Sequence, residues 1–509
     1  MRGPEQFERV LRGLIAGEVP VKCEHNEFVG HADVLAKLLE VAPDEIRDDL
    51  AFLHAIFDDA VREKGAGVLG IFPRLQDPGL AVVEGRIADY IADHCGIRYG
   101  DGYYNAGRVV RALDWPAWPG VGSPLTNNRF PYLIDTSASN YFSTRFWNGV
   151  QAPTGFLAIP KGGKAVLHGE YPHARYFALH PSDIDTNTFD TLLDVELEPD
   201  EGCMNPFRAA VPEGKGRRFT ARITFEAEPK DPDDREPNTC YAAATRHGEP
   251  NAAVFMIYRT TGSELGALPP NNAGVRLPSI MIYDAEGNVT EHYEEIDPYA
   301  SGAAPPVETT HFASLPIPDH RALVWPEKFV TKSNWGLDYD LLASDDILYL
   351  VTPYTDRLGE VFVVRGKALS TPDTPREPVH APGKDVRGWT VTVYNFWAGV
   401  CNSALVDNQI PRDAEGCYTL VVSTAENRPA NATTDDGVAW FDWGPYIDGQ
   451  LTFRLLLRRN PKLVALREAV DSGQATADIA PYVPRATHCS RETFENGGWQ
   501  GAFEARAGG

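Results

Sequence analysis

Two stretches of this chain repeat one another. Arg175-Tyr-Phe-Ala-Leu is followed by Leu193-Asp194 and then by Pro199-Asp-Glu-Gly-Cys203. Gly388-Trp-Thr-Val-Thr-Val is followed by Val406-Asp407 and then by Pro411-Arg-Asp-Ala-Glu-Gly-Cys417. Each copy reads as a strand, a turn, an Asp-led strand, an acidic Gly-Cys turn and a further strand. Each also contains a later strand with an aromatic–Arg step, Tyr258-Arg259 in the first copy and Phe453-Arg454 in the second. A chain that carries one β pattern twice is constrained to two related sheet-built modules.

The rest of the composition agrees. At 509 residues one compact core is too small a container, and several domains are expected. The 45 Gly and 40 Pro favour many turns and short strands over long helices. Strong period-two alternation, as in Arg218-Phe-Thr-Ala-Arg-Ile-Thr-Phe-Glu, argues half-buried antiparallel strands rather than a βαβ fold. The predicted fold class is mainly β with an N-terminal helical domain, carrying two related antiparallel β-sandwich (jelly-roll-like) modules.

Residues 1–100 show helical spacing. Val34, Leu35, Leu38, Leu39 and Val41 form one stripe, and Ile46, Leu50, Leu53, Ile56, Phe57 and Val61 form the next. Pro43-Asp44-Glu45 suits a helix start, and a third helix is expected from about Gly79 to His94. Residues 101–150 read as an aromatic, Gly/Pro-rich linker packed on the sheets. Residues 151–300 read as the first sandwich, 301–345 as a connector and 346–460 as the second sandwich. Residues 461–509 read as a short helix and an irregular tail.

The formal charge of −24 repels phosphate backbones, so nucleic acid is not an expected partner. No run approaches the roughly 18–20 apolar residues of a membrane span, and Met1-Arg-Gly-Pro-Glu-Gln has no apolar signal core. The seven cysteines contain no C-x-x-C pair, which removes zinc-ribbon and thioredoxin readings. Their locality suggests three disulfides, Cys23 with Cys95, Cys203 with Cys240 and Cys401 with Cys417, hence an oxidising compartment. Six cysteines allow 15 pairings, and seven reduced thiols is the alternative.

Chemistry is sparsely marked. Gly65-Ala-Gly-Val-Leu-Gly70 fits a dinucleotide fingerprint in letters only, because it follows a helix and Pro73 stands where a helix should open. No cofactor is expected. His168, Glu170 and His173 form H-x-E-x-x-H, and His180 and Asp183 follow, so His168, Glu170, His180 and Asp183 are candidate metal ligands. The plain reading is polar residues on a strand edge. His173, Asp194 and Asp407 are candidate catalytic groups. The equivalent repeat positions of the two aspartates favour a fold role, such as turn capping or pairing with Arg259 and Arg454. Trp335, Tyr394, Asn395, Trp397, Trp440 and Trp443 combine ring faces with amides and carboxylates nearby, the means of gripping a sugar ring or a flat apolar ligand. Packing inside the sandwiches is the competing role for these rings.

Several pieces resemble an uncharacterised, mostly actinobacterial family of predicted secreted proteins: Tyr171-Pro-His-Ala-Arg-Tyr-Phe, Asn205-Pro-Phe, Val363-Val-Arg-Gly-Lys, Thr371-Pro-Asp-Thr, Arg428-Pro-Ala-Asn-Ala and Gly437-Val-Ala-Trp440. The C-terminal module also resembles bacterial envelope proteins with paired β-sandwich domains of unknown function. The resemblance implies a fold and a compartment outside the cytoplasm, with a signal peptide absent from this chain, and no reaction. It departs at Gly498-Trp-Gln-Gly-Ala502, where that family tends to place a last cysteine, leaving Cys489 without its expected partner.

The sequence therefore predicts an exported or envelope-associated protein binding a glycan or small apolar molecule in an aromatic cleft between sandwiches. A lyase or hydrolase using His, Asp and Tyr in the same cleft is the alternative. Self-assembly as a homo-oligomer through sandwich edges is the third reading.

Overall fold

The computed structural model describes residues 4–16, 19, 27–62, 78–96, 139–152, 156–183, 187–263, 272–297, 329–331, 346–373, 376–379, 381–395, 401–444, 448–456 and 460–507. Apolar residues at helical spacing build the N-terminal part. Helices α1 (Pro4–Ala16), α2 (Glu27–Val41), α3 (Asp44–Arg62) and α4 (Pro78–Cys95) turn Phe7, Leu11, Leu38, Leu50 and Ile87 into a common core. Arg86 Nε donates to Asp49 Oδ2 at 2.8 Å and ties α4 to α3. The helices do not form a closed domain of their own: Ala253, Phe255 and Ile257 of a strand in the first sandwich complete their core.

That sandwich pairs two five-stranded sheets. The front sheet has the order β2 (Leu157–Ile159), β1 (Ser139–Asn148), β8 (Ala253–Ser263), β4 (Ala174–Ser182), β5 (Leu192–Leu193). The back sheet has the order β10 (Val289–Tyr293), β9 (Ser279–Tyr283), β3 (Lys164–Glu170), β6 (Arg218–Thr224), β7 (Thr239–Tyr241). Alternation places Phe219, Ala221 and Ile223 inside, against Phe177, Leu179, Met256 and Tyr258 of the front sheet. Burying a side chain of this size stabilises by about 1.5–3 kcal/mol.

The second sandwich repeats the plan. Its front sheet has the order β11 (Val330–Thr331), β12 (Ile347–Thr355), β18 (Asp448–Leu456), β14 (Trp389–Asn395), β15 (Cys401–Val406). Its back sheet has the order β17 (Val438–Asp442), β16 (Cys417–Ser423), β13 (Val361–Lys367), β19 (Arg485–Cys489). Pairing is antiparallel except for β1 with β2, β6 with β7 and β16 with β17. The last two parallel pairs occupy the same place in each module, so even the irregularity is duplicated. Helix α5 (Pro461–Ser472), capped by the Asn460 side chain on Lys462 N, contributes Leu463 and Leu466 to the second core.

The register fixes the equivalences. Ala178 faces both Arg259 and Leu193, and Thr390 faces both Arg454 and Val406. Hence Arg175 corresponds to Arg387, His180 to Thr392, Ser182 to Tyr394, Asp194 to Asp407 and Arg259 to Arg454. The sequence match of Arg175 with Gly388 is one residue out of step.

Four expectations are corrected. Residues 139–148, read as part of the linker, form β1. The C-terminal stretch is regular where an irregular tail was expected, for it forms β19 and helix α6 (Arg491–Ala507), which breaks at Gly498 with φ +57°. The disulfides are not formed: Cys95, Cys203, Cys240, Cys417 and Cys489 carry free thiols, so neither Cys23–Cys95, Cys203–Cys240 nor Cys401–Cys417 exists. The spacing explains one of them. Cys203 pairs with Gly216 and Cys240 with Ile223, seven residues further along the chain entering β6. At strand rise that is roughly 20 Å, whereas a bridge needs Cα atoms within about 7 Å. Cys401 starts β15 of the front sheet and Cys417 starts β16 of the back sheet, where the Cys417 thiol is free. Burial pushes the Cys95 thiol up to about 11, which keeps it protonated and unreactive. The fourth correction is that the two aspartates do not pair with Arg259 and Arg454. Among the described residues no helix is long and apolar enough to cross a membrane.

Candidate functional site

Strand β4 is buried at every position from Ala174 to Ser182. Its inward residues Phe177 and Leu179 meet the back sheet; its outward residues Tyr176, Ala178, His180 and Ser182 are equally buried. A strand hidden on both faces needs a second cover, and the other sandwich supplies it. Tyr176, Ala178 and Leu193 pack on Ile347 and Leu456, with Val195 and Tyr349 at the margin. The two front sheets therefore face one another across a seam.

Two ion pairs cross this seam reciprocally. Arg175 grips Asp407, with Nη1 on Oδ1 and Nη2 on Oδ2 at 3.0 Å, and Nη2 also donates to Arg387 O at 3.0 Å. Arg387 Nη1 in turn donates to Asp194 Oδ2. The side chains of all four are at most 3% exposed. Two glycines make room: a Cβ on Gly262 (φ +62°) would lie 2.7 Å from the Arg175 side chain, and one on Gly388 would lie 3.2 Å from its Cζ. Asp194 also accepts from Phe177 N at 2.8 Å. Burial pushes the Asp194 carboxyl upward, against the pull of Arg387.

Beyond these ties lies a polar group on the same faces. Arg259 Nη1 donates to Tyr349 Oη at 3.0 Å. Arg454 donates through Nη1 to Thr392 Oγ1 at 3.0 Å and through Nη2 to Tyr394 Oη. The Arg454 guanidinium lies 5.8 Å from the Tyr349 ring centre, so Tyr349 stands between two equivalent arginines. Gln450 Nε2 donates to Thr452 Oγ1 at 2.8 Å. His180, fully buried, shares a 3.1 Å hydrogen bond between Nε2 and Tyr176 Oη, while its Nδ1 has no partner. Burial, with Arg259 adding to it, holds the imidazole well below its ordinary value, so it is neutral.

The structure gathers His180, Asp194, Asp407 and Tyr394 in or beside the seam and disperses the other sequence candidates. His168 is on the back-sheet strand β3, bonded through Nδ1 to Thr220 Oγ1 at 3.0 Å, and Glu170 is exposed on the same strand. Asp183 accepts from Asn187 N and Arg246 N, both at 2.9 Å. Among the described residues no three His, Cys, Asp or Glu side chains converge to hold a metal, which corrects the proposed set His168, Glu170, His180 and Asp183: it spans two sheets. His173 sits in the turn between β3 and β4, its N donating to Ala273 O at 2.8 Å. Asp194 and Asp407 serve as ties.

The aromatic residues occupy three separate layers. Tyr394 is in the seam. Trp443 is 1% exposed inside the second sandwich, edge-on to Tyr354 at 4.4 Å. Trp440 packs on the outer face of the back sheet, its Nε1 donating to Ser423 Oγ at 2.9 Å and Arg428 4.3 Å above its ring. Described rings therefore do not line one cleft; Trp335, Trp397 and the side chain of Asn395 lie outside the described residues. Sequence reasoning missed Tyr176, Tyr349, Thr392 and Thr452, because outward polar residues of an alternating strand read as solvent-facing, and Arg387, which precedes β14. The signal that could have found them is the Tyr258-Arg259 and Phe453-Arg454 step repeated in both copies.

No protein-family model matches the chain, and no curated protein is similar to it. Among solved structures, it is similar to an uncharacterised protein from Burkholderia cenocepacia, at 13% identity and a TM-score of 0.41, over 86% of this chain and 94% of that one. It is also similar to the VPA0106 protein of Vibrio parahaemolyticus, at 12% identity and a TM-score of 0.34, over 70% of this chain and 90% of that one.

Proposed function

We propose that this protein binds a small molecule in the polar layer between its two sandwiches. The observation that carries the reading is the set of buried Arg259, Thr392, Tyr394, Arg454 and His180 with partly buried Tyr349, placed on faces that apolar residues would fill if adhesion were their only task. Binding sites keep a few convergent polar groups inside apolar walls, and His180 Nδ1 is a buried polar atom left without a partner. Tyr176, Ala178, Leu193, Ile347 and Leu456 supply such walls. The reading keeps the cleft between sandwiches expected from the sequence and replaces stacked tryptophans by hydroxyls and guanidinium forks. Binding in the seam does not depend on compartment, and the five free thiols withdraw the disulfide argument for export.

A thermal-shift screen of the full chain against sugars, carboxylic acids, phosphates and amines tests the reading, with native mass spectrometry of the purified protein beside it. A ligand at about 100 times its Kd adds about 2.7 kcal/mol of stability, and at least one class should raise Tm by several degrees. A flat screen together with a bare protein mass would leave the polar layer as an internal joint and sink the proposal.

A further inference from the structure

We infer that the second sandwich holds a binding site of its own, apart from the seam, which takes a short aliphatic carboxylate with its tail inside and its oxygens at Lys367 and Tyr418. A cavity of about 20 Å³ lies there, walled by Leu350, Trp389, Phe453, Leu455 and Leu466 of the second core. A water-sized group needs roughly 10–15 Å³, so the space admits one methyl end, and walls this apolar favour carbon over water. The duplication shows that the fold does not require the space. By strand register Leu350 corresponds to Phe142, and Ala368, one residue past β13, corresponds to Tyr171, one residue past β3. In the first sandwich the Tyr171 ring packs on Phe219 at 5.1 Å and the Phe142 ring on Tyr258 at 6.2 Å. The second sandwich puts smaller side chains in both places.

Two polar side chains line the same cavity. Tyr418 is 3% exposed and lies opposite Gly366, where a Cβ would come within 2.5 Å of its hydroxyl. Among the described residues that hydroxyl makes no hydrogen bond. Burial pushes the phenol up, so it keeps its proton and remains a donor. The first sandwich has Phe219 opposite Gly169 at this place and no hydroxyl to satisfy. A buried donor left open is costly, so its acceptor has to enter from outside. Lys367 is the second group. Its Nζ lies 5.8 Å from the Tyr482 ring centre, and among the described residues it has no carboxylate partner. Lys462, 4.3 Å over the same ring, already donates to Asp385 Oδ1 at 2.7 Å. The counterpart of Lys367 in the first sandwich is Glu170, so the charge beside this place is reversed between the modules. An ammonium is a point charge that suits one carboxylate, and the phenol can donate to the same group. Each tail methylene that leaves water should tighten binding about fourfold.

NMR titration of the wild-type full chain at low ionic strength, using acetate, propionate, butyrate and butyramide as probes, tests the inference. Propionate or butyrate should bind about fourfold or more tightly than acetate, and about tenfold or more tightly than butyramide. Three variants borrow residues from the first sandwich. Leu350→Phe should close the cavity and Lys367→Glu should reverse the charge, each weakening the acid about tenfold or more; Tyr418→Phe, which removes the donor, should weaken it less. Circular dichroism verifies folding, and the partly exposed Lys367 keeps the test decisive if Leu350→Phe does not fold. Acid binding left unchanged in folded Lys367→Glu would place the acid elsewhere, the seam included, and overturn the inference. Binding of no acid, or butyramide binding as tightly as butyrate, would overturn it too. None of these results touches the seam reading, because no seam residue is altered.

Discussion

The outer faces of the two back sheets share a register and differ in cover. In the second sandwich Val361, Val363, Val421 and Val438 lie beneath Phe494, Trp499, Ala502 and Phe503 of α6. In the first, Lys164 stands where the second has Val361, Arg222 where it has Val421, and Thr239 where it has Trp440. Lys164 and Arg222 are partly solvated and reach Glu236, at 3.7 and 3.4 Å. One backbone plan thus takes a helix or water according to a few side chains. The front sheets teach the opposite: Arg175, Arg259 and Asp194 recur as Arg387, Arg454 and Asp407, so the face toward the seam repeats where the face away from it has diverged.

The repeated face can be broken most severely. Asp407→Ala should leave Arg175 buried without its carboxylate, and Asp194→Ala should do the same to Arg387. Each loss is expected to cost about 3–5 kcal/mol in urea unfolding. If one costs that much and the other almost nothing, the two halves are not energetically equivalent. The diverged face comes next. Phe494→Ala, which empties a site beneath α6, should cost about 3 kcal/mol, while Lys164→Ala on the first sandwich should shift stability by less than about 1 kcal/mol. Similar losses at both sites would mean that the first back sheet also carries a structural cover.

The smallest effect compares one histidine from each sandwich. Burial holds His488 of β19 down at about 3 and His180 of β4 well below its ordinary value. Both are neutral when folded, whereas the unfolded chain takes up their protons below about pH 6.5. Their contribution is therefore present above pH 6.5 and lost as pH falls toward 3, with a slope approaching about 1.4 kcal/mol per pH unit for each. His488→Gln keeps an acceptor for Thr355 N, now bonded to Nε2 at 3.3 Å, and removes one titration. Unfolding curves between pH 6.5 and 4 should flatten by the His488 share, up to about 1.4 kcal/mol per pH unit; an unchanged slope would mean that His488 is protonated in the fold.

The sandwiches were legible because period-two alternation and the doubled Asp-led strand are local. Phe219, Ala221 and Ile223 fall inside as their spacing requires. Strand β1 was hidden among the Gly, Pro, Asn and Trp of its surroundings, and α6 by Gly497 and Gly498 within it. The seam was legible only in part. Asp194 and Asp407 stood out as a pair, but their partners lie 193 and 232 residues away, and nothing local says that Arg387 serves the first and Arg175 the second. The rings of Trp440 and Trp443 looked alike in sequence, three positions apart, and went to different layers because one sits mid-strand facing outward and the other follows the strand's end and turns into the core.

The crossed Arg–Asp ties have a further meaning. Each half brings one cation and one anion to matching places and hands each to the other half, as two identical subunits do across a two-fold axis. The molecule is in this sense a homodimer written into one polypeptide. Severed from its neighbour, either half would keep both ends of the clasp, and the surface most ready to receive it would be that of its own twin.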